Sequence, residues 1–170
     1  YDNQTGNWTN KTIWNPWVDI GECVISLKIG DFDPRHSGNE LLCALYGGMV
    51  REFYKASNGT WVQEVIDDSH AGTGTYECDI GNFDPRFDGN ECAVFTEQNI
   101  TMYAWNGTGW YNETIDVYTS TGGSAVESGV VGEIIPGNDV SEIVCGRCQT
   151  KVVFVWWNGS GYEVNYIWLS

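Results

Sequence analysis

The chain has 170 residues, of which 42% are hydrophobic, with 9 Trp, 9 Tyr and 6 Phe; this excludes a disordered protein and allows a packed core. Its formal net charge of −15 repels phosphate backbones, so the composition excludes nucleic acid as a partner and favours cations. No apolar run approaches the ~20 residues that a membrane-spanning helix needs, so no transmembrane segment is expected.

Residues 1–17 open the chain and match only the last third of the repeat that follows, so they predict one detached strand from Trp8 to Trp14. Three repeats then occupy residues 18–68, 69–119 and 120–170. Each repeat carries a motif that begins at Gly30, at Gly81 and, in worn form, at Gly132, so the period is 51 residues. A constant period without gaps predicts a repeat architecture, here within one compact domain.

Every repeat reads as four strands, A to D, with the motif between strands A and B. An Asn-Gly pair separates strands C and D at Asn58, Asn106 and Asn158, and this pair is the strongest short signal for a hairpin. Helical periodicity is absent, and four antiparallel strands in about 50 residues match the size of a β-propeller blade. We therefore predict an all-β fold of three propeller-like, four-stranded antiparallel blades plus an extra N-terminal strand. The predicted strands are Val24–Ile29 for A, Leu41–Tyr46, Cys92–Phe95 and Ile143–Cys145 for B, Arg51–Tyr54, Met102–Trp105 and Val152–Trp157 for C, and Trp61–Ile66, Trp110–Tyr118 and Tyr162–Leu169 for D.

The motif also carries a family resemblance. It reads Gly30-Asp31-Phe32-Asp33-Pro34-Arg35-His36-Ser37-Gly38-Asn39-Glu40 in the first repeat, and residues 81–91 keep most of it. This pattern resembles the calcium loops of FG-GAP-type β-propellers, and most closely those of rhamnogalacturonan-lyase-like propellers. The resemblance implies a propeller-like blade with a Ca²⁺ ion in the loop. It does not imply lyase activity, because that chemistry needs a full ring and this chain has three repeats.

The side chains of the loop support calcium on chemical grounds as well, because carboxylates grouped around a turn offer the hard oxygen ligands that Ca²⁺ prefers. Ile135 replaces one of them in the third repeat and cannot act as a ligand, so calcium is predicted only in repeats 1 and 2. The alternative is that these groups bond the turn amides, while Arg35 or Arg86 pairs the carboxylates. The candidate ligands are Asp31, Asp33 and Glu40 in repeat 1 and Asn82, Asp84 and Glu91 in repeat 2.

Asn-x-Ser/Thr sequons point to the compartment. The sequence has eight of them, whereas its 14 Asn and 23 Ser or Thr predict about two by chance. We therefore predict an N-glycosylated protein that is secreted or on the cell surface; since the sequence has no initiator Met, it is expected to have lost an export signal or to be a fragment. The predicted sites are Asn3, Asn7, Asn10, Asn58, Asn99, Asn106, Asn112 and Asn158.

Six cysteines agree with an oxidising compartment. Cys23 and Cys43 flank the first motif loop and Cys78 and Cys92 flank the second, so we favour a disulfide within each pair, although six cysteines allow 15 pairings. Cys145 and Cys148 form a lone Cys-x-x-Cys that fits neither a haem nor a zinc site, which leaves a strained bridge or a bond to another chain.

Catalytic groups are not evident. His36 lies inside a motif loop and His70 in a connection between repeats, and neither has the nucleophile and acid that a catalytic constellation requires. Both are expected to be surface or turn histidines, and the protein is expected not to be an enzyme. The tryptophans of strands C and D are expected to pack between blades, although they also suit stacking on sugar rings.

Three blades are too few to close a propeller, and the detached strand has no partner of its own. Exposed strand edges join subunits by strand addition, and a head-to-tail joint that does not close gives a fibre. We therefore predict a non-catalytic structural subunit that associates with itself into an extracellular filament or surface layer. The alternative is a calcium-binding, carbohydrate-binding propeller fragment of a larger surface protein, with glycans as ligands.

Overall fold

A computed structural model describes residues 11–69, 74–117, 126–147 and 151–168. Within these ranges the chain forms twelve strands and one short helix, α1 (Pro16–Ile20). The helix has five residues, and no helix in the described ranges is long and apolar enough to cross a membrane. The strands are β1 (Val24–Gly30), β2 (Glu40–Leu45), β3 (Val50–Lys55), β4 (Trp61–Asp67), β5 (Thr75–Gly81), β6 (Glu91–Thr96), β7 (Asn99–Trp105), β8 (Trp110–Val117), β9 (Val126–Gly132), β10 (Glu142–Arg147), β11 (Lys151–Trp157) and β12 (Tyr162–Trp168).

The strands form three antiparallel four-stranded sheets, each with its strands in chain order. The first sheet contains β1 to β4, the second β5 to β8 and the third β9 to β12. Strand β5 contacts both β1 and β9, so the first strands of the three sheets lie side by side. The predicted all-β fold with four antiparallel strands per repeat is therefore confirmed.

The 51-residue period extends to the hydrogen-bond register. The first strands begin at residues 24, 75 and 126, and the second strands begin at residues 40, 91 and 142. Gly30 pairs with Glu40, and the same pairing recurs between Gly81 and Glu91 in the second sheet. Further along the chain the repeats differ, because the pairing of the second and third strands is shifted by one residue in the second sheet: Leu42 pairs with Glu52, whereas Ala93 pairs with Met102.

Asn-Gly turns close the hairpin between the third and fourth strands of every sheet, as predicted. Gly59, Gly107 and Gly159 have φ angles of 81°, 90° and 94°, which a residue with a Cβ adopts only with strain. The preceding Asn accepts a hydrogen bond from the backbone N–H two residues on, at 2.9 Å for Asn58 and 3.0 Å for Asn106. Asn and Gly together therefore fix the geometry of these turns.

The core is distributed between the sheets rather than within one centre. One cluster, with Phe83 and Phe95, lies between the second and third sheets, and another, with Phe32 and Val94, lies between the first and second. A third cluster covers the opposite face of the first sheet and includes Phe53. Each sheet is thus stabilised chiefly by burying a face against its neighbour.

The predicted N-terminal strand is wrong where the structure describes it. Residues 11–15 form no strand, and Trp14 packs on Phe53 with ring centroids 5.4 Å apart. Asn15 then accepts backbone bonds from the first turn of α1, which begins at Pro16, a residue suited to a helix start. The segment therefore covers the first sheet with a side chain instead of adding a strand; Trp8 lies outside the described residues.

The predicted disulfides Cys23–Cys43 and Cys78–Cys92 are also wrong in this structure, where all four cysteines carry thiols. Cys78 pairs across the sheet with Val94, two residues from Cys92, and such diagonal neighbours lie about 7–8 Å apart, too far for a bridge. The backbone of Cys23 bonds Tyr46, three residues beyond Cys43, so Cys23 and Cys43 do not lie opposite each other.

Burial raises the pKa of the Cys43 thiol to about 12 and that of the Cys78 thiol to about 11. Cys145 is buried on β10, and Cys148 lies outside the described residues.

Candidate functional site

The three motif loops are closed in the same way, by a glutamate at the start of the second strand. Glu40 accepts hydrogen bonds from the backbone N–H groups of Phe32 and Asp33 at 3.1 and 3.4 Å. Its counterparts in the second and third sheets, Glu91 and Glu142, accept the equivalent pairs of amides at 2.7 to 3.0 Å. The predicted ligands Glu40 and Glu91 therefore satisfy buried loop amides, which otherwise would be unpaired.

An ion pair between a buried aspartate and an exposed arginine fills each of the first two loops. Asp33 accepts hydrogen bonds from the backbone N–H and Nε of Arg35 at 2.9 and 3.0 Å, and from Nη2 at 2.5 Å. Asp84 and Arg86 repeat this geometry at 3.0, 2.9 and 2.5 Å. Both aspartates are fully buried, so each needs the guanidinium as a partner.

The same arginines connect neighbouring sheets. Arg35 donates to Glu64 of its own sheet at 2.7 Å, and its Cζ lies 4.0 Å from the ring centroid of Trp105 in the second sheet. Arg86 likewise donates to Glu113 at 2.6 Å and lies over Trp157 of the third sheet. These tryptophans are half-buried beneath the guanidinium groups, as expected for packing between sheets.

The pKa values of the loop carboxyl groups follow from their burial and from their hydrogen bonds. Burial acts to raise the pKa of Asp33 and of Asp84, but hydrogen bonds from Arg35 and Arg86 outweigh it and lower both pKa values. Burial raises the pKa of Glu40, and it raises that of Glu91 to about 7. The loops therefore combine an ionised aspartate with a glutamate that burial drives toward its neutral form.

These contacts do not fit a Ca²⁺ ion between the predicted ligands. Asp33 and Asp84 accept hydrogen bonds from a guanidinium group at both carboxylate oxygens, so their loops offer fewer oxygen ligands than the roughly six to eight that Ca²⁺ takes. Asp31 and Asn82 are exposed, apart from the buried carboxylates of their loops. Calcium stays a prediction, and a calorimetric titration with Ca²⁺ after EDTA treatment tests it.

The third loop lacks the ion pair. Ile135 and Gly137 stand where the second loop has Asp84 and Arg86, and Asn138 donates to Glu142 at 2.6 Å instead. The loss of aspartate from the third repeat therefore removes the charged pair but keeps the glutamate that closes the loop.

Two residues outside the predicted ligand set, His36 and Glu52, complete the first loop. His36 stacks on Tyr54 with ring centroids 3.5 Å apart, and its Nε2 lies 3.7 Å from Asp33 Oδ2 and 3.9 Å from Glu52 Oε1. His36 lies in a turn, where its backbone N–H donates to Asp33 O, and its side chain is half-buried; His70 lies outside the described residues. Burial, followed by the charge of Asp33, raises the pKa of Glu52.

Comparing the repeats in sequence would have singled out His36 but not Glu52. Phe87 occupies the place of His36, and Met102 occupies the place of Glu52, because Leu42 pairs with Glu52 as Ala93 pairs with Met102. The second assignment needs the sheet register, since the pairing of the third strand is shifted by one residue relative to the 51-residue period.

The predicted glycosylation sites fall in different environments. Asn58, Asn106 and Asn158 are exposed at equivalent hairpin tips, and Asn112 is exposed on β8, whereas Asn99 is half-buried at the start of β7. Asn3, Asn7 and Asn10 lie outside the described residues. The three hairpin tips would carry glycans at one end of the sheets, beside the motif loops.

No protein-family model matches this sequence, and a search of curated proteins finds none similar to it. A function for the chain therefore rests on the geometry of its own residues.

Proposed function

We propose that the protein is a non-catalytic structural subunit of an extracellular, glycosylated filament or surface layer, and that its sheets follow one another as in a propeller. Copies join head to tail, so that the third sheet of one copy packs on the first sheet of the next. Such a joint uses two different surfaces and therefore propagates instead of closing as a dimer.

The proposal depends on a contact that recurs between the sheets. At the first joint, a Cβ on Gly30 would lie 3.1 Å from the Ile80 side chain, tighter than ordinary van der Waals contact, so glycine eases the close approach of the two strands. At the second joint, Gly81 faces Val131 even more closely. Each sheet thus offers a glycine on one face and a β-branched side chain on the other.

The two outermost partners of this series are unused among the described residues. Gly132 of the third sheet has no atom within 4 Å of the place where a Cβ would lie. Ile29 of the first sheet, which is equivalent to Ile80 and Val131, is 70% exposed. Gly132 and Ile29 are therefore the equivalents of the two residues that meet at each internal joint, where Gly30 faces Ile80 and Gly81 faces Val131.

The surroundings of both positions are apolar as well. Leu27 is 56% exposed beside Ile29. Val130 is 52% exposed beside Gly132, and its counterparts in the first and second sheets are the charged Lys28 and Asp79. An apolar surface of this kind is typical of an interaction site. Trp14 covers the part of the first sheet around Phe53 and leaves the outward side chains of β1 accessible.

A polar contact would support the joint. At the first joint Ser26 Oγ accepts a hydrogen bond from the backbone N–H of Cys78 at 3.2 Å. Ser128 is the counterpart of Ser26, and Leu27 is the counterpart of Cys78, each 51 residues away. We expect Ser128 of one copy to accept a bond from the N–H of Leu27 in the next.

The hairpin tips leave this contact open. Asn58, Asn106 and Asn158 lie between the third and fourth strands of their sheets, whereas the proposed joint uses the first strands at the opposite edge. Glycans at these tips would cover the outside of a filament without entering its joints.

Two singly blocked variants test the proposal. Ile29→Asp places a charge in the joint, and Gly132→Val fills the space for the isoleucine; each alone should abolish assembly in sedimentation velocity and negative-stain microscopy. An equimolar mixture should form heterodimers and nothing longer, because each variant keeps one intact face. Tyr46→Ser, which removes an exposed aromatic group at the turn after β2, should assemble as the wild type does.

A wild-type chain that stays monomeric at high concentration contradicts the proposal. So does a mixture of the two variants that fails to form heterodimers, because a head-to-tail joint requires that product.

A further inference from the structure

The first motif loop contains a polar group that its counterpart in the second sheet replaces with apolar side chains. His36 and Glu52 stand where the second sheet has Phe87 and Met102. Because the backbones of both loops are alike and both contain the same Asp–Arg pair, the second sheet shows that the loop folds without a histidine and a glutamate here. A purely structural role therefore does not explain both of them.

Glu52 is buried without a hydrogen-bond donor. Its side chain is 0% exposed, and neither oxygen of the ionised carboxylate accepts a hydrogen bond within the described residues; only the protonated form has a partner, by donating to Asp33. Arg35 Nη2 is 3.6 Å from Oε2, too far for a hydrogen bond, and Arg35 is already engaged by Asp33 and Glu64. Native structures rarely leave such a group unsatisfied, so an absent partner is indicated.

Other unsatisfied atoms surround the same place. His36 Nε2 and Trp110 Nε1 are buried and also lack a hydrogen-bond partner within the described part of the chain. In the second sheet this space is satisfied: Tyr162, the counterpart of Trp110, donates to Asp84 at 2.6 Å and lies 3.2 Å from the sulfur of Met102. The unsatisfied atoms of His36, Glu52 and Trp110 therefore belong to the joint between the first and second sheets, and among the described residues their counterparts Phe87, Met102 and Tyr162 leave none at the next joint.

We propose that Asp33, His36 and Glu52 bind one divalent transition metal of the Zn²⁺ class. Their ligand atoms all lie within 4.8 Å of one another. Two ligands of one ion, each about 2.1 Å away, lie at most about 4.2 Å apart, and the separations from His36 Nε2, 3.7 and 3.9 Å, meet that limit.

The donor set selects the class of metal. An imidazole nitrogen with two carboxylates suits Zn²⁺ and its neighbours, whereas Ca²⁺ prefers oxygen alone. The local charge also allows a cation, since Asp33, Glu52 and Glu64 as carboxylates carry three negative charges against the single positive charge of Arg35. Nη2 of Arg35 also bonds Glu64, so on metal binding it would leave Asp33 Oδ2 to the ion while Nε keeps its bond to Oδ1.

An ion can reach this place from solvent. A cavity of about 390 Å³ opens between the first two motif loops, and Asp31, His36 and Asp88 are among its lining residues. The His36 side chain is 19% exposed and forms the boundary between the cavity and the buried carboxylates. The two exposed aspartates would attract cations to the entrance.

Titration of the full chain with Co²⁺, after dialysis against EDTA, tests the proposal. The wild type should bind one Co²⁺ with visible absorption bands typical of nitrogen and oxygen ligands, and Zn²⁺ should displace it. His36→Phe, Glu52→Met and the double variant install the residues of the second sheet and should therefore fold. Each single change should weaken binding at least about tenfold.

Asp19→Asn is the control, because it removes an exposed carboxylate of α1, at the other end of β1 from the motif loop, and tests for general attraction by a chain of net charge −15. It should bind as the wild type does. Equal binding by the wild type and the double variant would overturn the proposal, as would a wild type that binds no Co²⁺. The second result would mean that Asp33 and Glu52 share a proton in place of a metal.

Discussion

The glutamate at the start of the second strand has the same function in all three repeats, although the loop around it changes. Glu40, Glu91 and Glu142 each accept two backbone amides of the preceding loop through one carboxylate oxygen. The third repeat has lost its aspartate and arginine but keeps this residue. Closing the loop is therefore the requirement that is independent of any ion.

Glu91 separates the two possible roles of this position. Glu91→Ala leaves the N–H groups of Phe83 and Asp84 buried without an acceptor, at a cost of about 1–3 kcal/mol for each group, whereas Glu91→Gln retains one acceptor oxygen. We expect the alanine variant to lose at least about 2 kcal/mol of unfolding free energy and the glutamine variant to lose clearly less. Urea unfolding in EDTA measures both.

Asp88→Ala, in the exposed part of the same loop, is the control and should change stability by no more than about 0.5 kcal/mol. If Glu91 served only as a calcium ligand, both Glu91 variants would match the wild type in EDTA and would differ from it only when Ca²⁺ is added.

The sequence predicted part of the candidate site. The repeated motif brought attention to Asp33 and Asp84, and pairing by Arg35 and Arg86 was among the alternatives, because these residues are close in sequence. Glu52 was missed, since it comes from the third strand and reaches the loop only through the sheet register. A contact between residues distant in sequence leaves no local pattern.

At the scale of elements, the sheets are joined by polar contacts as well as by the core. Tyr103 of β7 donates a hydrogen bond to Asp67 Oδ2 at the end of β4, at 2.7 Å. The tyrosine is buried and its ring packs in the cluster between the first and second sheets. The hydroxyl therefore adds a specific bond to a joint that is otherwise largely apolar.

Tyr103→Phe keeps the ring and removes this bond. A hydrogen bond to a charged group contributes about 1.5–3 kcal/mol, so we expect a loss of that order in the unfolding free energy at pH 7. Tyr111→Phe is the control, because its hydroxyl bonds Glu113 within the same strand at the half-exposed edge of the sheet. It should cost no more than about 0.5 kcal/mol.

The same bond predicts a pH dependence. Burial acts to raise the pKa of Asp67, but hydrogen bonds from Ser69 and Tyr103 outweigh it and lower the pKa. A carboxyl with a lower pKa in the folded chain adds stability above its unfolded pKa of about 3.9, and this stability is lost as the pH falls through the folded pKa. The difference between wild type and Tyr103→Phe should therefore shrink below about pH 4. Urea unfolding at pH 7 and pH 3 checks this, and an equal difference at both would contradict it.

Elements that depend on residues close in sequence were predicted well, and those that depend on a contact with a distant part of the chain were not. The Asn-Gly turns and the first strands were found because glycine conformation and periodicity act within a few residues. The prediction of a strand ending at Trp14 was wrong, because the Trp14 side chain packs on the apolar face around Phe53 and the backbone of residues 11–15 does not pair with a sheet edge. The disulfides failed because the spacing of cysteines does not fix which residues are opposite.

At the scale of the whole molecule, one glycine position determines how closely the sheets approach. Gly30 and Gly81 lie at the end of a first strand and face a β-branched residue of the next sheet, and Gly132 has the same place in the third sheet. Gly30 and Gly81 allow sheets of the same chain to approach each other. In the proposed joint, Gly132 allows the third sheet to approach the first sheet of another copy and has no such part within the described residues of its own chain.

Substituting alanine at equivalent positions should therefore give opposite phenotypes. Gly81→Ala places a Cβ against Val131, and overpacking of this kind costs about 1–3 kcal/mol, so the variant should unfold at lower urea concentration. Gly132→Ala meets no neighbour within the chain, so its monomer should unfold like the wild type within about 0.5 kcal/mol, measured at a concentration too low for association. At high concentration it should associate more weakly, because its Cβ would meet Ile29 of the next copy as a Cβ on Gly30 would meet Ile80. An effect of Gly132→Ala on the monomer, or equal association of both proteins, would show that the face of the third sheet is not equivalent to the internal joints.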